Sequence, residues 1–224
     1  MTSPRRPYVL VNMALSADGK IASANRAITS LGSRRDHDHL LHLRTTVDAI
    51  MTGAGTVNAQ PNITLGVNHR ATRPPLRILV TGHGRANLRA RLFRESGAPL
   101  IILATRQLPL TRRAALAKRA HTLRCFGHST LDFPAALAWL RQKWNVRRLL
   151  CEGGGRLNAG LLAAGLVDEI HLTHCPLILG GSDAPTMADG TLARHLGEAI
   201  QLRLSSLRVE TDEAFATYKI LLEK

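Results

Sequence analysis

Leu149-Leu150-Cys151-Glu152-Gly153-Gly154-Gly155-Arg156-Leu157-Asn158 decides how this chain is read. Val146, Leu149 and Leu150 form an apolar run, a carboxylate and three glycines follow, and apolar spacing then turns helical at Leu157, Leu161, Leu162 and Leu166. The pattern predicts strand, tight turn, helix. Glycines at such a junction let backbone N–H groups approach a ligand closely, and the helix start adds partial positive charge. A phosphate or pyrophosphate suits both properties. Glu152 does not share that task. At the carboxyl end of a strand it is placed to accept hydrogen bonds from a substrate or cofactor. The plain alternative is a helix start with an exposed carboxylate.

Upstream, Tyr8 to Asn12 reads as a first strand entering the polar turn Ser16-Ala17-Asp18-Gly19-Lys20. Ser33 with Asp36 resembles a capping box for a helix reaching about Arg44, its inward stripe being Leu40, Leu41 and Leu43. Asp48 to Gly53, Leu76 to Thr81 and Leu100 to Thr105 are expected strands. Thr111 and Asp132 are expected helix caps, the second helix carrying Leu137, Leu140 and a core Trp144. Downstream, Asp168 to Cys175 is a strand, and Gln201 to Val209 with Ala214 to Leu222 a closing hairpin. Strands alternating with helices, then consecutive strands, describe an α/β sheet, mostly parallel with an antiparallel edge. The stretch from Asn68 to Pro75 reads as a surface loop, so residues 1–224 are expected to form a single domain.

Composition narrows the function. With 45% hydrophobic and only 4% aromatic residues, the core must be aliphatic. There is no window of 18 apolar residues, and the N-terminus lacks a secretory apolar region. Cys125, Cys151 and Cys175 show no metal-ligand spacing and read as buried thiols of a cytoplasmic protein. The net charge of +14 invites a nucleic-acid reading, but the arginines are scattered without interleaved aromatics, which disfavours it. The same field attracts phosphorylated small molecules.

Three glycine-rich turns, at Gly53-x-Gly55, Gly82-x-Gly84 and Gly153-x-Gly155, each follow an apolar strand, and each lacks the third glycine of the dinucleotide fingerprint. They suggest backbone donors at strand ends, with ordinary left-handed turn geometry as the alternative. His37, His39 and His42 are better read as a solvated helix face than as a zinc site. No nucleophile elbow is present. What remains is a set of polar groups expected at strand ends, namely Asn12, Asp18, Lys20, Thr52, Thr56, Thr81 and Glu152. Such a set is compatible with hydride transfer, in which a cofactor carries the chemistry.

The segments from Val11 to Ala22, Leu43 to Val57, Leu76 to Arg85 and Cys151 to Gly181 together resemble the reductase family of riboflavin biosynthesis. The resemblance spans nearly the whole chain and implies a dihydrofolate-reductase-like fold, a mixed central sheet flanked by helices, and a homodimer. It also implies NADPH, its pyrophosphate held by Gly53, Gly55, Thr56 and Val57 after Thr52, and by Gly153, Gly154, Gly155, Arg156 and Leu157. Thr81 and Arg85 match the family's holder of the adenosine 2′-phosphate. The implied substrate is a phosphorylated ribosylamino-pyrimidine, reduced at ribose C1′ to its ribitylamino product. Lys20 and Glu152 are then the catalytic candidates, and Asn12, Arg44 and Gln60 join them as substrate contacts, with Arg44 pairing the phosphate. The family's substrate-contacting aspartate has no counterpart here, since Asn58, Gln60 and Asn62 are all neutral. That departure keeps open a reductase of the same fold with another heterocyclic or carbonyl substrate. A basic nucleotide- or nucleic-acid-binding module is the third reading. No membrane partner and no metal are expected.

Overall fold

The computed structural model describes residues 6–26, 31–67, 73–190 and 192–221. The elements run β1 (Tyr8–Ser16), α1 (Arg34–Thr45), β2 (Ala49–Gly53), α2 (Ala54–Ala59), β3 (Leu76–Thr81), β4 (Leu100–Ala104) and α3 (Leu110–Ala117). They continue with β5 (Thr122–Cys125), α4 (Phe133–Trp144), β6 (Arg148–Cys151), α5 (Gly155–Ala163), β7 (Glu169–Cys175), β8 (Leu202–Glu210) and β9 (Glu213–Ile220). Contacts divide the chain into two compact units, Met1–Tyr8 with Leu41–Leu150 and Val9–Leu40 with Cys151–Lys224.

In the first unit β2, β3, β4 and β5 lie side by side and parallel. Every residue of β4 is buried, as expected of an apolar run in a covered parallel sheet. The Asp48 carboxylate accepts from the backbone N–H groups of Arg147 (2.7 Å) and Arg148 (2.9 Å), fixing the entry to β6. In the second unit β1 is parallel to β7, β9 is antiparallel to β7, and β8 is antiparallel to β9. The mixed, mostly parallel α/β arrangement with a C-terminal antiparallel hairpin is therefore present. Among the described residues no helix is long and apolar enough to cross a membrane.

Several local expectations need correction. The short strand β5 and the six-residue helix α2 were not anticipated from the sequence. Helix α3 starts one residue before Thr111, with Pro109 at its cap position, whereas α4 is capped by Asp132, which accepts from Ala135 N–H (3.0 Å) as expected. Trp144 is half-buried against His121 and Trp139 and is not a core residue. Cys125 is likewise only half-buried. The loop expected from Asn68 to Pro75 lies mostly outside the described residues.

The start of α1 differs most. Ser33 Oγ accepts from Arg35 N–H (3.1 Å), but Asp36 does not complete a capping box. Glu213 of β9 does so instead, accepting from Ser33 N–H (2.7 Å) and from the Ser33 hydroxyl (2.6 Å). Burial pushes the Asp36 carboxyl above the usual range, the Thr173 hydroxyl pulls it back, and the charge of Glu213 adds to the rise. His39 is not solvated either, because its ring packs against His171 (5.7 Å) and Phe215 (5.5 Å). His37 and His42 are exposed.

Candidate active site

In the second unit β1 delivers Ser16 to a closed turn. Gly19 N–H donates to Ser16 O, Ser16 N–H to Lys20 O, and Lys20 N–H to Ser16 Oγ, each at 2.9 Å. Asp18 fixes this turn to the loop after β7, accepting from the Ser16 hydroxyl (2.6 Å) and from the N–H groups of Leu179 (3.1 Å) and Gly180 (2.7 Å). The Ser16 hydroxyl, with those two amides, pulls the Asp18 carboxyl down to about 2. Lys20, half-buried, pairs through its backbone with Thr186, and Ile21 N–H donates to Pro185 O (2.9 Å).

The glycine turn after β6 meets the same residue. Gly153 has φ +73°, and a Cβ there would stand 2.7 Å from Met13 Sδ. A Cβ on Gly155 would overlap the Thr186 carbonyl and lie 2.6 Å from Asp189 Cγ. Asp189 Oδ1 in turn accepts from Thr186 N–H (2.8 Å) and Thr186 Oγ1 (2.9 Å). Asn158, fully buried on α5, donates to Met187 O (2.9 Å) and accepts from the Cys151 thiol (3.4 Å). Lys20 and the Gly153–Gly155 turn are thus brought together on the 185–189 segment, which sequence reasoning did not single out. The Thr186-x-x-Asp189 spacing, like a capping box without its helix, is the signal that was available. Glu152 is half-buried between the end of β6 and that turn, and Arg156 is exposed while Leu157 is buried.

Asn12 does not stand at a strand end as expected. It is the fifth residue of β1, paired in register with His171, and buried with no hydrogen-bond partner for Oδ1 among the described residues. A buried amide oxygen left open in this way marks a place for a donor.

In the first unit the expected cofactor residues also converge. Thr52 is fully buried, Gly53 caps α2 in an extended conformation, and Val57 is the buried residue of that helix. Asn58 ties α2 to the turn after β3, donating to Arg85 O (2.7 Å) and accepting from Asn87 N–H (2.7 Å). Its amide thus serves as a brace. The buried Thr81 hydroxyl accepts from Gly84 N–H (3.0 Å), shaping the turn on which exposed Arg85 stands. Gln60 is half-buried at the end of α2. Arg44, buried at the end of α1, donates to Gly66 O (2.6 Å).

The donor set fits a phosphorylated nucleotide. The cap residues of α2 and α5 are glycines, Gly53 and Gly154, which make no side-chain cap and leave room for an anion to approach the helix start. Thiol chemistry does not fit, since burial pushes both Cys151 and Cys175 up to about 12. Among the described residues no group of three or more His, Cys, Asp or Glu side chains is arranged to hold a metal.

These features define a mixed α/β protein of the dihydrofolate-reductase-like class, built around uncapped helix starts at strand ends. A family model described as RibD C-terminal domain matches residues 7–214, and the chain belongs to that family. It is 36% identical over 194 residues to the 2,5-diamino-6-ribosylamino-4(3H)-pyrimidinone 5′-phosphate reductase of Archaeoglobus fulgidus, covering 83% of this chain and 87% of that one. A protein of the same name from Methanothermobacter thermautotrophicus is 33% identical, with 96% and 99% covered. Among solved structures, a pyrimidine reductase-like protein from Corynebacterium diphtheriae superposes with a TM-score of 0.82 at 20% identity, covering 97% of this chain and 93% of that chain.

Proposed function

We propose that this protein is a cytoplasmic, homodimeric NADPH-dependent reductase of riboflavin biosynthesis. Its substrate in this reading is 2,5-diamino-6-ribosylamino-4(3H)-pyrimidinone 5′-phosphate, the compound in the names of relatives that match over nearly their full length. The observation that carries the reading is the meeting of Lys20 and the Gly153–Gly155 turn on Thr186, which gives a cation and a set of amides a common support.

Within the first unit Thr52, Gly53, Gly55, Thr56 and Val57 contact cofactor phosphate, and Thr81 and Arg85 take the 2′-phosphate that separates NADPH from NADH. Within the second unit Gly153, Gly154, Gly155, Arg156 and Leu157 offer phosphate a second helix start. Reduced nicotinamide, when bound, supplies hydride to the sugar C1′. Lys20 orients the ribose and supplies the proton needed as its ring opens to the Schiff base. Glu152 accepts hydrogen bonds from the same sugar, Asn12 and Gln60 bind the remaining polar groups, and the Arg44 guanidinium pairs with the substrate phosphate.

Incubation with NADPH and either the diamino precursor or its deaminated counterpart tests this directly. Oxidation of NADPH with the diamino compound, faster than with NADH, is the expected result. Oxidation with neither compound overturns the substrate. Lys20→Ala and Glu152→Gln should each lower turnover by about 10²–10⁴ while NADPH affinity stays nearly constant. Unchanged steady-state rates remove the roles given to them.

A further inference from the structure

Beneath the first turn of α1 the second unit encloses three oxygen atoms that have no partner in the fold. The parallel register sets Ala14 of β1 beside Thr173 of β7 and Asn12 beside His171, and residues two apart on a strand share a face. Asn12, Ala14, His171 and Thr173 therefore point to one side. Helix α1 covers that side, since the His39 ring meets those of His171 (5.7 Å) and Phe215 (5.5 Å), and Asp36, three residues earlier, faces the Thr173 hydroxyl. The facing groups complete no hydrogen bond. Asp36 Oδ1, Thr173 Oγ1 and Asn12 Oδ1 are all buried without a partner among the described residues.

Each such atom costs the fold stability, and three on one face call for an occupant. All three accept hydrogen bonds and two of them can do nothing else, so the occupant must bring N–H or O–H groups. One carboxylate with two neutral oxygens falls short of the roughly six to eight oxygens that a calcium ion takes. Ala14, beside Thr173 and inside β1, is half-exposed, which marks where this face opens. The substrate proposed above has the matching chemistry. The 2-amino group and N3–H of the diamino-pyrimidinone form an edge of adjacent donors, and its 5-amino group adds more.

We infer that Asp36, Asn12 and Thr173 bind the pyrimidine base, and that the Asp36 carboxylate reads its 2-amino edge and so selects the diamino compound over its deaminated counterpart. The inference rests on the substrate class proposed above. The carboxylate accepts from the 2-amino group and N3–H side by side, as it would from an arginine fork, and the Asn12 and Thr173 oxygens accept from the remaining amino hydrogens. Deamination places a carbonyl oxygen at C2. That oxygen meets the carboxylate with no proton between them, so repulsion replaces a hydrogen bond. Burial disfavours the ionised form of Asp36 in the free protein, and two N–H donors favour it again. Because the three atoms are closed to solvent before binding, the base must part the first turn of α1 from the sheet, entering over Ala14.

The ratio of kcat/KM for the two compounds, measured with NADPH in one preparation of the full chain, does not depend on how much of the protein is folded. The parent should favour the diamino compound by at least about 100-fold. Asp36→Asn, whose amide can donate to the C2 carbonyl and accept from N3–H, should lower that ratio by about 100-fold or more. Asp38→Asn, at an exposed position of the same helix, should leave it unchanged. Thr173→Val keeps the shape and removes a partnerless hydroxyl, so it should melt at or above the parent while KM for the diamino compound rises about tenfold. A hydroxyl that serves the fold alone would give the reverse, a lower melting temperature and an unchanged KM. If Asp36→Asn does not fold, Thr173→Val decides. A ratio indifferent to Asp36, or a parent KM in Thr173→Val, overturns this inference alone, whereas oxidation of NADPH with neither compound removes the proposed substrate as well.

Discussion

The glycine-rich turns after β2 and after β6 read alike in sequence and differ in what requires their glycines. After β6 the fold itself requires them, since Gly153 is left-handed against Met13 and Gly155 is pressed on Thr186 and Asp189. After β2 a Cβ on Gly55 would meet nothing within 4 Å, and its φ lies outside the left-handed region. Neither space nor backbone geometry explains that glycine. An exposed residue on the first turn of α2 that the fold would let be alanine leaves room for the cofactor contact proposed for Gly55. The same letters therefore carry two meanings, packing at Gly155 and, in the proposed function, binding at Gly55.

Substitution separates the two meanings. Gly155→Ala should lose about 1–3 kcal/mol of stability, because the 185–189 segment must move to admit a methyl group. A melting temperature lower by roughly 3–10 °C is the expected reading. Gly55→Ala should instead melt at or slightly above the parent, alanine being the better helix former by about 1 kcal/mol, while NADPH binds about tenfold more weakly in a fluorescence titration. Equal NADPH affinity in the two proteins would break the contrast.

The smallest effect concerns how the surrounding loops are held. The turn after β3 is braced by neutral Asn58, whereas the loop after β7 hangs on ionised Asp18. A carboxyl lowered to about 2 contributes stability that is fully present above its ordinary value near 4 and lost as pH falls through its folded value. Hydrogen-exchange protection of the Leu179 and Gly180 amides should thus fall between about pH 4 and pH 2 while that of Asn87 holds. A parallel loss at all three amides would show that acid acts elsewhere.

Much of the fold was legible because β2, β3 and β6 are apolar runs closed by glycine, and the hairpin and the strand–glycine–helix junction emerge where the periodicity put them. The omissions share a cause. Strand β5, Thr-Leu-Arg-Cys, has neither alternation nor full burial, and its existence rests on pairing with β4. Helix α2 contains Gly, Thr, Val and Asn, all modest helix formers, and forms because β2 delivers it. The start of α1 was assigned a local partner, Asp36, but its carboxylate partner comes from Glu213, 180 positions away. At the site, Lys20 and the glycine turns were readable as residue types in pattern. Their common support at Thr186 and Asp189, and the brace at Asn58, are long-range hydrogen bonds that no local pattern encodes.

The bond between Ser33 and Glu213 also orders events during synthesis. The second unit joins residues 9–40 to 151–224, so its first strand waits for β7 and its helix entry for Glu213, while residues 41–150 form their contacts locally. Stalled nascent chains ending near residue 150 should therefore resist protease in the later segment and be cut before residue 40. A chain cut short of Glu213 would lack the carboxylate that holds Ser33, so the hairpin is the piece that closes the entry to α1.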